Sequence, residues 1–189
     1  MGFLGWIIER LMNRRNARMN AFAVDLLELR QFDEVLEIGF GGGVNLPAFI
    51  ERAKFVAGVD PSPDVVRRAS ARFRESVRSG RVVFREGSAE SIPFASGRFG
   101  KICTVNTVYF WSSLEAGFAE LGRVLAQGGR LAVGFLPKEW MDRMGAPPDI
   151  FTSRTAEEVS AALVTAGFTQ VRIERPTAET AWNVILASR

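Results

Sequence analysis

Seven short runs rich in β-branched and apolar residues recur between helical patterns along this chain of 189 residues. They are VLEIG (35–39), FVAGVD (55–60), VVFREG (82–87), KICTVN (101–106), RLAVGF (130–135), QVRIER (170–175) and WNVILAS (182–188). Between them, helices are predicted at about Val44 to Ala53, Pro63 to Ser79, Leu114 to Leu125 and Thr155 to Ala166. Such alternation predicts an α/β fold with a doubly wound, mostly parallel sheet. Only about six residues separate the last two runs, too few for a parallel crossover, so these strands are expected to pair as an antiparallel hairpin.

Local signals support these limits. Ser62 before Pro63 is an N-cap followed by proline at the first helical position, and Thr155 is followed by Glu157 and Glu158, which suit the positive end of a helix. Gly167 after Ala166 and the Gly128-Gly129 pair after Leu125 read as helix stops. A hydrophobic content of 47% suffices for one sizeable core, and residues 1–189 read as a single domain.

The inventory excludes much chemistry. Histidine is absent and Cys103 is the only cysteine, which removes zinc sites, histidine-based triads and disulfide frameworks, and no metal is expected. Cys103 itself alternates with apolar neighbours and reads as core packing. The charge balance of +3 is too weak to argue for nucleic acid. Glu9 and Arg10 interrupt the apolar N-terminus too early for a signal-peptide core, Trp6 replaces the hydroxyl residue of a myristoylation signal, and no stretch reaches the length of a membrane span. A soluble protein in a reducing cytoplasm is expected.

The stretch VLEIGFGGGVNLP (35–47) places four glycines within five residues, after a strand and before a helix. That context makes a glycine pattern a ligand-binding hypothesis. A triphosphate loop would need Lys and then Ser or Thr, where Val44, Asn45 and Leu46 stand. A dinucleotide loop fits Gly39 and Gly41, but its third position falls on Val44, where close helix packing needs Gly or Ala. What fits is an acidic residue followed by alternating glycines: Glu37, Gly39, Gly41 and Gly43.

Here the chain resembles the class I S-adenosylmethionine-dependent methyltransferases, particularly the small branch similar to ubiquinone and menaquinone biosynthesis methyltransferases. Four further segments carry the resemblance, which runs from about Val35 to Glu174. In VAGVDPSPDVVRRA, Asp60 ends the second strand about 20 residues past the loop, where a carboxylate can accept from both ribose hydroxyls. REGSAESIPF looks like the family's adenine-contacting turn, with Ser88, in place of the usual Asp, and Ala89 at the contact positions. FGKICTVNTVYFW resembles the fourth strand, whose end lies beside the methionyl group and faces the acceptor. ELGRVLAQGGRLAVGF is close to the family's helix, turn and fifth strand, with Gln127 where proline is common.

The resemblance implies a Rossmann-like seven-stranded sheet in the order 3-2-1-4-5-7-6, with strand 7 antiparallel. It also implies S-adenosyl-L-methionine as cofactor: Glu37, Gly39, Gly41 and Gly43 shaping the methionyl site, Asp60 binding ribose, Pro61, Ser88 and Ala89 framing adenine, and Asn106 near the amino-acid end. Open α/β sheets bind ligands outside the carboxyl ends of their strands at the switch point, where these residues are expected to meet.

Tyr109, Phe110 and Trp111 follow the fourth strand where the acceptor would enter, so each reads either as core or as substrate wall. Trp140 lies in the Pro- and Gly-rich stretch before the Thr155 helix, a place for substrate contact. At the N-terminus, Phe3, Leu4, Ile7, Ile8, Leu11 and Met12 form an apolar stripe at helical spacing that then meets Arg14, Arg15 and Arg18. Residues 1–30 therefore read as a helical cap over the cofactor cleft; contact with an anionic membrane surface or an acidic acceptor are the alternatives.

The function expected is methyl transfer from S-adenosylmethionine to a small or medium-sized acceptor with an O, N or activated C nucleophile. No catalytic base is assigned. Two other readings stay open: an NAD-dependent oxidoreductase, and a non-catalytic S-adenosylmethionine-binding module.

Overall fold

The alternating runs become one seven-stranded sheet in the computed structural model, which describes residues 16–189. After helix α1 (16–26) the chain runs through β1 (Glu34–Ile38), α2 (Leu46–Arg52), β2 (Phe55–Asp60), α3 (Pro63–Arg72), α4 (Arg74–Arg78), β3 (Val82–Glu86) and β4 (Phe99–Val105). It continues through α5 (Leu114–Val124), β5 (Leu125–Phe135), α6 (Lys138–Arg143), α7 (Ala156–Thr165), β6 (Thr169–Glu174) and β7 (Asn183–Ser188).

The strand order is β3-β2-β1-β4-β5-β7-β6, as expected. β1 to β5 are parallel, while β7 runs antiparallel to both β5 and β6. Winding reverses between β1 and β4, so the carboxyl ends of these two strands form the crevice where such sheets hold ligands.

Strand alternation divides the core between the two faces. Leu36 and Ile38 of β1 pack with Phe118 of α5 and Val159 of α7, while Val35 packs with Leu27, just past α1, and Phe49 of α2. Fully buried rings such as Phe49, Phe118 and Phe135 each contribute about 1.5–3 kcal/mol by leaving water. Cys103 is completely buried among them, as its strand position predicts. The Thr155 cap forms in full: its hydroxyl accepts from the Glu158 N–H, and the Glu158 carboxylate accepts from the Thr155 N–H.

Three boundaries differ from expectation. The helix predicted from Pro63 to Ser79 breaks at Phe73, where the backbone leaves helical geometry (φ −106°, ψ 29°) and the ring packs 6.1 Å from Phe84. Gly128 and Gly129 do not stop α5. That helix ends at Val124 because Leu125 already pairs with Phe99 in the sheet, and the glycines lie in an irregular stretch of β5 before Arg130 pairs with Lys101. Helix α6 falls within the Pro- and Gly-rich stretch, where no helix is predicted.

On α1, Met19, Asn20, Ala23 and Val24 turn inward, as does Leu27 just past its end, and Arg18 is exposed. The predicted stripe of Phe3, Leu4, Ile7, Ile8, Leu11 and Met12, with Arg14 and Arg15, lies outside the described residues. Among the described residues, no helix is long and apolar enough to cross a membrane.

Candidate functional site

β1 and β4 carry the residues around the switch point. Glu37 shares the face of β1 that packs under α1 and α2, and it is buried, only 4% exposed. Asn45, just before α2, donates from Nδ2 to Glu37 Oε1 at 2.8 Å and to Asn20 Oδ1 of α1 at 2.8 Å. Both N–H bonds of the amide are then used, and Glu37 Oε2 has no hydrogen-bond partner. Burial raises the Glu37 pKa to about 8; the Asn45 hydrogen bond opposes the rise and nearby Asp60 adds to it.

The glycine loop is set by backbone demands from inside and left open outside. Gly39 has φ +65°, and a Cβ there would lie 2.5 Å from Thr107 Cγ2. Thr107 is itself fixed: its hydroxyl shares a hydrogen bond with Thr104, which donates to the Ile38 carbonyl at 3.1 Å. Gly43 has φ +68° with Leu46 against it, whereas Gly41 and Gly42 face open space. Nothing inside the protein crowds those two positions, which suits close approach of a ligand to backbone.

Asp60 ends β2, buried at 6% exposure. Its Oδ2 accepts from the Gly41 N–H at 2.9 Å and its Oδ1 from the Ser62 N–H at 3.0 Å, so one carboxylate joins the glycine loop to the start of α3. Pro61 between them is exposed. Ser88 and Ser91 bridge each other after β3, leaving Ser88 half-buried and Ala89 buried. Glu90 then accepts from the N–H and hydroxyl of Ser112, tying this turn to the loop beyond β4.

Asn106 follows β4 in the left-handed region (φ 60°), which Asn tolerates better than most residues, and its N–H donates to Gly134 of β5 at 2.8 Å. The Tyr109 hydroxyl sits 3.3 Å from Asn106 Oδ1 and from the Leu136 carbonyl, and it accepts from the Leu136 N–H. Burial pushes its pKa well above the ordinary phenol value, so it stays protonated and ties β4 to β5.

The aromatic trio divides. Trp111 is packed into the core: it is buried against Phe118, with ring centroids 5.1 Å apart, and its ring fills the space over Gly117. Tyr109 is likewise buried, which leaves its ring little surface to offer an acceptor. Phe110 is the one that reaches solvent, at 60% exposure, with Phe151 packed 5.3 Å away. Trp140 lines a cleft of about 650 Å³ that also takes in Arg18 and Phe22 of α1 and Glu179 and Trp182 of the β6–β7 connection. No glycine-loop residue lines that cleft.

Asp60 is thus hydrogen-bonded to the glycine loop, Glu37 is held by Asn45 at the loop's far end, and Asn106 follows β4, the strand paired with β1. Sequence reasoning missed Asn20, Asn45 and Thr107 as parts of this site. Asn45 carried a signal that misleads: Asn before a helix reads as a cap, yet its side chain caps nothing and turns inward to Glu37.

The model of the methyltransferase domain family matches residues 36–133. The chain is 27% identical over 166 residues to the uncharacterized methyltransferase YdaC of Bacillus subtilis, covering 87% of each protein. It is 35% identical over 104 residues to the erythromycin 3''-O-methyltransferase of Saccharopolyspora erythraea, spanning 54% of this chain but only 34% of that enzyme. Among solved structures, YcgJ of Bacillus subtilis superposes with a TM-score of 0.74 at 18% identity, covering 91% of this chain and 98% of that one. A geranyl diphosphate methyltransferase in complex with S-adenosylmethionine superposes with the same score, 0.74, at 18% identity, over 92% and 85% of the two chains. The family match takes in the glycine loop and the β4 end and extends over more than half the sequence, and the chain accordingly belongs to the methyltransferase domain family as an S-adenosylmethionine-dependent methyltransferase.

Proposed function

We propose that this methyltransferase acts on a small or medium-sized acceptor through an O, N or activated C nucleophile, with the donor's methionyl end held at the glycine loop. The observation that carries this placement is the unpartnered Oε2 of Glu37, a buried carboxyl oxygen at a loop whose open positions are Gly41 and Gly42. A zwitterionic amino-acid tail supplies the N–H donor that this oxygen lacks. A phosphate would place an anion beside a buried carboxyl group.

In this reading Gly39, Gly41 and Gly43 hold the loop in its shape, Asp60 takes the ribose hydroxyls with its remaining lone pairs, and Pro61, Ser88 and Ala89 frame adenine. Asn106 meets the amino-acid end. S-adenosylmethionine brings a methyl group already activated by its sulfonium. The protein's part is to align the acceptor lone pair and exclude water, which supplies on the order of 7–11 kcal/mol at best. No side chain is assigned as base, since the one tyrosine stays protonated.

The acceptor side is assigned to exposed Phe110 and to Trp140 with its cleft; Tyr109 supports it from below. The motif pattern favours the branch similar to ubiquinone and menaquinone biosynthesis methyltransferases. Residues 1–189 are taken as one domain, with 1–30 as its helical cap, acting in the cytoplasm on a small molecule and not on nucleic acid. A screen of hydroxyl, amine and activated-carbon acceptors, read by release of S-adenosylhomocysteine, tests the proposal. Turnover with one chemical class supports it. Tight donor binding without turnover across the panel would instead favour a binding module.

A further inference from the structure

Glu37 poses an electrostatic problem that the fold does not solve by itself. Its carboxyl group lies beneath α1 and α2, accepts one hydrogen bond at Oε1 and has no partner at Oε2. From each neighbouring element it faces either a neutral group or an acid: Asn20 from α1, Asn45 at the start of α2, Asp60 from β2 and the Cys103 thiol from β4. No cation among the described residues is close enough to act on it. An ion buried in this way is far more costly than a neutral acid with one unused oxygen.

We propose that Glu37 is a neutral carboxylic acid in the ligand-free protein, and that arrival of the donor's ammonium group at Oε2 expels its proton to solvent. The protein then forms the counter-ion only when the donor is there to use it. The proposal rests on the donor placement given under Proposed function. In the step, the carboxyl O–H bond breaks, its electron pair stays on oxygen and the proton passes to buffer, while the ammonium keeps all three of its protons. Nothing is oxidised or reduced. The Asn45–Asn20 pair holds Oε1, which leaves Oε2 as the oxygen that exchanges a proton for an ammonium.

The arrangement also selects among adenine-containing ligands. Adenosine shares the nucleoside but has no ammonium, so it binds without proton release. A pyrophosphate-bearing ligand brings negative charge and finds no cation at this position.

Calorimetry with S-adenosylhomocysteine at pH 7, in phosphate and in Tris, reads the proton directly through the different ionisation enthalpies of the two buffers. Because burial raises the acid's pKa to about 8, most of one proton is released per ligand bound at pH 7. Affinity weakens as pH falls, approaching about tenfold per unit below that value. Glu37→Gln removes the proton release and weakens binding at least tenfold, and adenosine releases none from either protein. Because the variant can misfold, the wild-type carboxyl is also followed by ¹³C NMR of carboxyl-labelled glutamate, where one resonance stays that of a neutral acid from pH 6 to 7. Binding with no proton release, or a glutamate set fully ionised at pH 6, overturns this proposal alone. Absence of any binding by S-adenosylhomocysteine overturns the donor placement and this proposal with it.

Discussion

Asp60 Oδ2 accepts a hydrogen bond from the Gly41 N–H at 2.9 Å, across 19 residues of chain. The same carboxylate holds the Ser62 N–H at 3.0 Å, so the residue proposed to bind ribose also fixes the loop proposed to hold the methionyl end. Asp60→Ala therefore removes two charge-assisted bonds, and the loss is expected at about 1.5–3 kcal/mol for each in ligand-free stability. Donor affinity falls at least tenfold. Thermal denaturation and calorimetry check the two effects, and an unchanged affinity contradicts the role given to Asp60.

Gly39 is fixed by sterics and by backbone conformation together. Gly39→Ala places a methyl group 2.5 Å from Thr107 Cγ2 and forces an L-residue to φ +65°. The expected loss is about 1–2 kcal/mol for the left-handed backbone and a further 1–3 kcal/mol, roughly, for overpacking. Thr107→Ser removes the clashing methyl but keeps the hydroxyl bonded to Thr104. In the double variant the overpacking part is recovered and the backbone part remains, which denaturant unfolding of the three variants resolves.

Glu37 makes ligand-free stability depend on pH in an unusual direction. Its pKa is raised from 4.5 to about 8 by folding, chiefly through burial. The folded state therefore holds a proton that the unfolded state gives up, so this stabilising contribution is complete below pH 4.5 and is lost as pH rises through about 8. The loss is on the order of a few kcal/mol. Glu37→Gln carries no such proton, and its stability relative to wild type rises across that window. Parallel denaturation curves for the two proteins at pH 6 and 8.5 would contradict this.

Adjacent aromatic residues have opposite roles. Phe110→Ala, at 60% exposure, is expected to change stability by less than about 1 kcal/mol. Once an acceptor is identified, the same change raises its KM several-fold. Trp111→Ala empties a core position against Phe118 and Gly117 and costs about 3–5 kcal/mol. Denaturant unfolding of both variants separates the roles, and equal destabilisation would refute the division.

Periodicity made the sheet legible, because buried strands alternate in sequence where they alternate in space. The short connection before Trp182 foretold the antiparallel β7, since a tight link permits nothing else. Glu37, Asp60 and the glycines were readable because their spacing follows the strand ends. Asn20 and Asn45 were not, since 25 residues separate them and only the packing of α1 beneath the loop brings their side chains together. Trp111 and Phe110 are equally aromatic, and the 3-10 turn at Val108–Phe110 alone decides which points inward. Gly128 and Gly129 looked like a helix stop because a sheet irregularity uses the same residue as a cap.

In the function proposed, the glycine loop holds the amino-acid end of S-adenosylmethionine and not a pyrophosphate. Calorimetric titration of the purified protein with S-adenosylhomocysteine and, separately, with NADH tests it most directly. Saturable one-to-one binding of S-adenosylhomocysteine, lost or weakened at least tenfold in Asp60→Ala, with no saturable heat from NADH, is the expected result. Saturable binding of NADH with none of S-adenosylhomocysteine would contradict it.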